Sequence, residues 1–273
     1  MPVFLCATCG VQQPEGETPP SRCIICEDER QWVPKLGQRW VTRDELEARH
    51  FNAFRKIATD LMAIASMPTF AIGQRAFLVR TPNGNVLWDC ISLLDDATHE
   101  IIQALGGIEA VALSHPHYYG AMASWGRCFD CPVLLHEADR EWVQEPDNCL
   151  EFWSGPEREI MPGVTLHNFG GHFPGNSVLH LAEKRTLLTG DTVLVTHDRK
   201  HVSFMWSYPN YAPLPAPEVA RMGKLFDALD FDAIHSAFWD RGDISTDAKG
   251  AVERSIRRHI HGPDHAFTPA SPE

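Results

Sequence analysis

No stretch of the chain approaches the ~20 consecutive apolar residues that a membrane-spanning helix requires, so no membrane partner is predicted. The amino terminus, Met1-Pro2-Val3-Phe4-Leu5-Cys6, has neither a charged leader nor a long apolar segment, and it predicts no secretory signal. Positive charge is scarce: 24 Lys and Arg stand against 36 Asp and Glu, a net charge of −12. Nucleic acids and anionic membranes demand clustered cations, so this balance speaks against both. The 8 cysteines are not spread as a secreted disulfide framework would spread them. A chain of 273 residues, 44% hydrophobic, buries a core without such staples. These absences predict a reduced, cytoplasmic, globular protein.

The cysteine that is present gathers at the start. Cys6-x-x-Cys9 and Cys23-x-x-Cys26 are separated by thirteen residues. Each pair can grip a metal ion from one turn, and two pairs complete a closed tetrahedral set of four thiolates. Gly10 stands where a knuckle turn needs positive φ. The intervening Gln12 to Ser21, with Pro14, Gly16, Pro19 and Pro20, has too little apolar content to fold alone. A metal therefore supplies most of the folding free energy. Residues 1–40 read as a zinc-ribbon or rubredoxin-like module, and two redox-active pairs without metal are the alternative. Zinc and iron both accept four thiolates. The second pair, Cys23-Ile24-Ile25-Cys26-Glu27, lacks the Pro and Gly of rubredoxin knuckles, which favours structural zinc. Arg22 and Arg30 stand among five acidic residues, so docking to protein fits better than binding nucleic acid. Thr42-Arg43-Asp44-Glu45 is a capping-box pattern, read as opening a helix to about Phe54. Residues 41–59 are accordingly expected to be a linker helix.

The body is expected over residues 60–265, followed by a flexible tail, 266–273. Apolar runs flank Pro82-Asn83-Gly84, a strong hairpin signal. Strands and helices then alternate, which predicts two sheets with helices outside. A strand over Ile108 to Leu113 leads into Ser114-His115-Pro116-His117-Tyr118-Tyr119-Gly120. Two histidines two residues apart at a strand end can point both imidazoles into one pocket. Gly170-Gly171-His172-Phe173-Pro174-Gly175 is a tight loop carrying a third, and Thr189-Gly190-Asp191-Thr192 closes a later hairpin.

A strand ending in Asp89, then His-x-His, then Gly-His-x-Pro-Gly, then Leu-Thr-Gly-Asp, in that order, resembles the metallo-β-lactamase fold superfamily. The resemblance covers about residues 60–265 and leaves the cysteine module outside. It implies an α+β fold, an αβ/βα four-layer sandwich with a metal site at one edge between the sheets. It also implies that His115, His117 and His172 hold one metal. Asp191 matches a carboxylate that bridges two metals, and Asp89 one that supports the histidine loop. The superfamily loop continues x-Asp-His, a pair that with a late histidine builds a second metal position, whereas this chain has Tyr119 and Gly120 there, so both members of the pair are absent. His235 falls about two places early for the superfamily's late histidine and is left unassigned.

Three histidines with Asp191 or a water complete a site for one zinc, with iron the lesser alternative. Asp191 is the candidate base, and Tyr119 or Tyr118 a candidate hydrogen-bond donor to an oxyanion. Phe173, Trp206 and Tyr208 are candidates for an apolar substrate wall; packing against the cysteine module is the equal alternative for the stretch Ser203 to Asn210. Cys90, Cys128, Cys131 and Cys149 are read as buried structural thiols, with Cys90 close enough to Asp89 to face the site.

The leading expectation is a mononuclear-metal hydrolase acting on a small ester, thioester, lactone or amide. A homo-oligomer stays open. A second reading is a non-haem iron oxygenase, which persulfide dioxygenases suggest with His115, His172 and Asp191 as ligands and His117 as an extra donor. A third is a non-catalytic metal-binding scaffold whose ribbon recruits a partner.

Overall fold

The computed structural model describes residues 1–240 and 242–262. The expected tail, 266–273, lies outside the described residues. Seven strands run in chain order across one sheet, from Phe51–Ala58 to Leu150–Trp153. The first four pair antiparallel, and Gly84–Trp88, Ala110–Ala112, Val133–His136 and Leu150–Trp153 pair parallel. A second sheet of six strands runs from Glu157–Met161 through Val164–Asn168, Ser177–Leu181 and Thr186–Gly190 to Ala233–Ser236 and Asp243–Ile244.

Alternate side chains of each strand face opposite ways, and the core divides accordingly. Phe77, Val79, Val86, Trp88, Ala110 and Ala112 face inward and meet Leu166, Leu179 and Leu188 of the other sheet. Their neighbours Leu78, Leu87 and Val111 face outward onto Ile102, Trp125 and Phe129, which lie on the helices Asp96–Ala104 and Met122–Phe129. On the far side Val178, Leu187 and Ile234 pack under Val219, Met222, Phe226 and Val252 of Ala216–Ala228 and Ala248–His261. The result is the four-layer αβ/βα sandwich expected from the sequence. No helix among the described residues is long and apolar enough to cross a membrane.

One expectation needs correction. The capping box at Thr42 is present, with Thr42 and Glu45 bonded reciprocally, but the helix is only Arg43–Glu47. Phe51–Ala58 is an edge strand of the larger sheet, paired along its length with Leu61–Met67. Residues 41–59 are therefore not a linker helix.

The N-terminal residues lie directly on the sandwich. Phe4–Cys6 pairs with Trp40–Thr42. Cys6, Cys9, Val11, Cys23, Ile25 and Cys26 join the outer core of the seven-stranded sheet. The Gln12 amide donates to Gly120 O at 2.8 Å, and Ser92 Oγ donates to Gly10 O at 2.7 Å.

Candidate metal centre

Parallel strands end together, so the residues just past their carboxyl ends share one rim. Asp89 follows Gly84–Trp88, His115 follows Ala110–Ala112, and Asp191 follows Thr186–Gly190. His172 comes from the loop between Val164–Asn168 and Ser177–Leu181. The Ser177 amide donates to Ser114 O at 2.9 Å and ties the sheets at this rim. Gly190 permits the close approach: its φ is +49°, and a Cβ there would lie 2.6 Å from Ser114 Oγ. Gly190→Ala is expected to destabilise the fold by roughly 1–3 kcal/mol through this clash. An unchanged midpoint in urea unfolding would show that Ser114 yields at little cost.

His115, His117, His172 and Asp191 converge, all four buried, with one donor atom each within 4.8 Å of all the others. Asp191 Oδ2 lies 3.5 Å from His115 Nε2, 3.9 Å from His117 Nδ1 and 3.8 Å from His172 Nε2. His172 Nε2 and His117 Nδ1 are 3.2 Å apart. Tetrahedral ligands at ~2.0–2.1 Å from an ion are separated by about 3.4 Å, so the spacing fits one ion. The outer ring atoms fix the chemistry of the inner ones. His172 Nδ1 faces the Met205 carbonyl at 3.1 Å; a carbonyl only accepts, so Nδ1 carries the proton and Nε2 keeps its lone pair. His115 Nδ1 meets Ser114 Oγ at 2.9 Å, and its buried Nε2 has no hydrogen-bond partner, as a metal-directed atom should not.

Electrostatics holds the groups in their ligating forms. Burial lowers His117 to about 4, partly opposed by Asp191. Burial, reinforced by the neighbouring His115 and His117, holds His172 well below the imidazole range. Burial opposes ionisation of Asp191, but the surrounding imidazoles of His115, His117 and His172 outweigh it and keep the carboxylate charged. Two neutral imidazoles and an anion are what a divalent cation needs.

Asp89 lies next to this set: its Oδ1 accepts the Ser114 amide at 2.8 Å. Burial pushes its carboxyl up to about 8. Tyr119 does not reach the site. Its hydroxyl donates to Asp139 O at 3.2 Å, and the ring lies in the outer core. The reason is the 3₁₀ turn Pro116–Tyr118, in which side chains three apart eclipse. That places Tyr118 on the His115 face, ring centroids 4.9 Å apart, with its hydroxyl 3.5 Å from Asp191 Oδ1. Position 120 cannot supply a ligand either, since a Cβ there would lie 3.2 Å from Cys90 Sγ. His235 pairs with Asp243 at 2.7 Å, and Asp243 also holds the buried Arg75 at 2.8 Å. Cys90 Sγ turns to the carbonyls of Tyr118 and Tyr119. Cys128 is exposed, contrary to expectation, because it occupies the outer side of its helix.

A pocket of about 540 Å³ opens onto the cluster and touches His117, His172 and Asp191. Of the three expected wall residues, Tyr208 lines it, and its hydroxyl donates to Asp191 O at 3.0 Å. Phe173 and Trp206 stand behind the wall. Phe173 packs on the rings of His115, His117 and His172, at centroid distances of 5.6, 4.9 and 5.3 Å. Trp206 faces away from the pocket because its strand neighbour Met205 faces in. Arg30 of the N-terminal segment lies over both rings, 4.2 Å from Phe173 and 5.1 Å from Trp206. Ser207 Oγ donates to Arg30 O at 3.0 Å, and Asn210 Nδ2 to Glu29 O and Gln31 O at 2.9 and 3.1 Å. The aromatic stretch therefore serves the pocket and the cysteine module at once. Arg30, Gln31 and Trp32 carried no signal in the sequence, since only the tertiary fold brings them here.

The four cysteines form the second donor set, all buried. Cys6 Sγ lies 3.5 Å from Cys26 Sγ, and Cys9 Sγ 3.6 Å from Cys23 Sγ. Thiolates at ~2.3 Å from a tetrahedral ion are about 3.8 Å apart, so these donors also fit one ion. Hydrogen bonds with Cys23 and Cys26 hold the Cys6 thiol well below its ordinary range, and Gln38 Nε2 donates to the same sulfur at 2.8 Å.

No family model matches the chain. The uncharacterized protein YmaE of Bacillus subtilis is 43% identical over 266 residues, 95% of this chain and 96% of YmaE. The probable metallo-hydrolase YybB of Bacillus subtilis is 27% identical over 121 residues, 39% of this chain and 55% of YybB. The metallo-β-lactamase FIM-1 from Pseudomonas aeruginosa, in its mono-zinc form, superimposes with a TM-score of 0.55 at 15% identity, over 77% of this chain and 96% of FIM-1. TTHA1623 in a di-iron-bound form gives a TM-score of 0.52 at 21% identity, over 75% and 98% of the two chains. The chain belongs to the family of YmaE, built on the metallo-β-lactamase fold with a four-cysteine cluster added at its amino terminus.

Proposed function

We propose that the protein is a mononuclear-metal hydrolase acting on a small ester, thioester, lactone or amide. The observation that carries this reading is the pocket that opens onto His117, His172 and Asp191. A metal with a purely structural task is closed off on all sides, whereas a catalytic one faces a substrate. The metal-hydrolase descriptions of YybB and FIM-1 support the same reading.

A metal ion in this set supplies a Lewis acid for a carbonyl oxygen and makes water acidic enough to be a nucleophile. His115, His117 and His172 would hold it through Nε2, Nδ1 and Nε2, the ring nitrogens that face Asp191 Oδ2. Asp191 presents Oδ2 to the histidines and Oδ1 to Tyr118, so Oδ1 is the carboxylate oxygen placed to accept a proton from an attacking water. Tyr208 and Phe173 screen the charged centre from bulk water. We assign zinc to both donor sets. A two-histidine, one-carboxylate iron site would leave one imidazole outside. Here three ring nitrogens face a single centre, which speaks for hydrolysis over oxygenation.

Elemental analysis of wild type and His117→Ala tests the assignment. Two zinc per chain falling to one, with p-nitrophenyl ester turnover reduced at least ~100-fold, is the expected result. Iron lost in the variant, together with oxygen uptake on thiols, would instead establish an oxygenase. One metal in both proteins would remove the basis for either enzyme.

A further inference from the structure

We propose that Trp32 and Tyr211 determine the specificity of this pocket, selecting substrates whose acyl group is a linear apolar chain that extends through its mouth. The inference rests on the hydrolase reading and names its substrate class.

Both rings line the pocket, and both reach into solvent, Trp32 at 42% and Tyr211 at 85% exposure. They come from segments far apart in sequence. Trp32 belongs to the N-terminal segment that begins at Cys26, and Tyr211 to the turn between Met205–Ser207 and Ala212–Pro213. They are fastened together by Asn210 on Glu29 and Gln31, by Ser207 on Arg30, and by Arg30 over Trp206. The two segments thus form one fastened rim that carries both aromatic residues.

Tyr211 is the more telling of the two. Its φ is +56°, in the left-handed region that a bulky aromatic rarely adopts. Burial gives nothing back for that conformation, because the ring stands in water. Strained residues held in place by surrounding bonds cluster at sites that grip ligands. Ile72, Leu194, Met205 and Phe238 add apolar side chains to the lining that His117 and His172 share. Among the described residues no Lys or Arg lines the pocket, and the nearby Arg30 guanidinium is engaged by both oxygens of Asp28 at 2.9 Å. A methylene chain leaving the metal centre would find apolar side chains along this lining.

Each methylene moved from water to apolar surface improves binding by about fourfold. The test separates binding from turnover by using His117→Ala protein, whose cysteine site is intact. Its affinity for acetamide, butanamide and octanamide is read by ligand-observed NMR. Affinity rising by about two- to fourfold per methylene, and a slope falling to near unity when Trp32→Ala and Tyr211→Ala are added, is the expected result. A flat series, or a slope untouched by the two substitutions, would overturn the assignment. The same chain-length series of p-nitrophenyl esters on zinc-loaded wild type tests the reading beneath it. Hydrolysis without a chain-length gain defeats the specificity proposal and leaves the hydrolase. A chain-length gain in binding without any hydrolysis defeats the hydrolase and leaves the apolar-chain site.

Discussion

A Cys26→Ser chain should lose far more than one metal ion. Three thiolates cannot close the tetrahedron, and the module between the cysteine pairs has little apolar content with which to hold itself. Its buried residues share the outer core of the seven-stranded sheet, so loosening it opens that core. A loss of about 3–5 kcal/mol follows, or a Tm lower by about 10 °C for a chain of this size. The more specific expectation is at the other metal. Cys26 fixes the start of the segment that carries Arg30, and Arg30 covers Phe173, which backs all three histidines. Turnover should therefore fall at least tenfold at temperatures where the sandwich is still folded, with hydrogen exchange rising at the amides of residues 205–211. Unaltered turnover and exchange in that segment would show that the module rests on the pocket without supporting it.

Asp191→Asn should have the largest effect on the histidine site with the smallest effect on the fold. Asparagine has the shape of aspartate, and the Tyr208 hydroxyl bonds the backbone oxygen of residue 191, which the change keeps. What disappears is the one anion among the four donors. Weaker perturbations, to groups that merely orient metal ligands, cost about 10–100-fold in metal affinity. Loss of the charged ligand itself should exceed that range, with turnover falling in step. Competition titration with a chelating dye measures the affinity, and thermal unfolding in excess chelator should show the two apo proteins within a few degrees of each other. Wild-type affinity in the variant would mean that the three histidines hold the ion unaided and that Asp191 serves only as a base.

The four residues of the candidate metal centre were singled out in the sequence by the order of motifs that carries the resemblance, and the fold brings them together. His115 and His117 leave the end of one strand, His172 sits among glycines whose backbone can turn tightly, and Asp191 follows a glycine at positive φ pressed against Ser114. Strand positions were legible where alternate faces are both buried. Phe51–Ala58 was not: Phe51, Phe54 and Ile57 recur every third residue, as on a helix, and an edge strand lacks the second buried face that would have corrected the pattern. Tyr119 was misplaced because a single residue's difference in a 3₁₀ turn rotates a side chain by about 120°. The wall of the pocket could not be read in advance, since Arg30 meets Trp206 only after the whole sandwich has closed.

That closure has a consequence for synthesis on the ribosome. Arg30 and Glu29 await partners that lie 177 and 181 residues further along the chain. At ~5–20 residues per second, the amino-terminal segment emerges on the order of 10–40 s before Ser207 and Asn210 can hold it. During that interval the short pairing of Phe4–Cys6 with Trp40–Thr42 is among the interactions within its own reach. A metal ion taken up by the four cysteines would add to these, so metal supply during synthesis would bear on whether the amino terminus waits in its final shape or as an open loop of thiols.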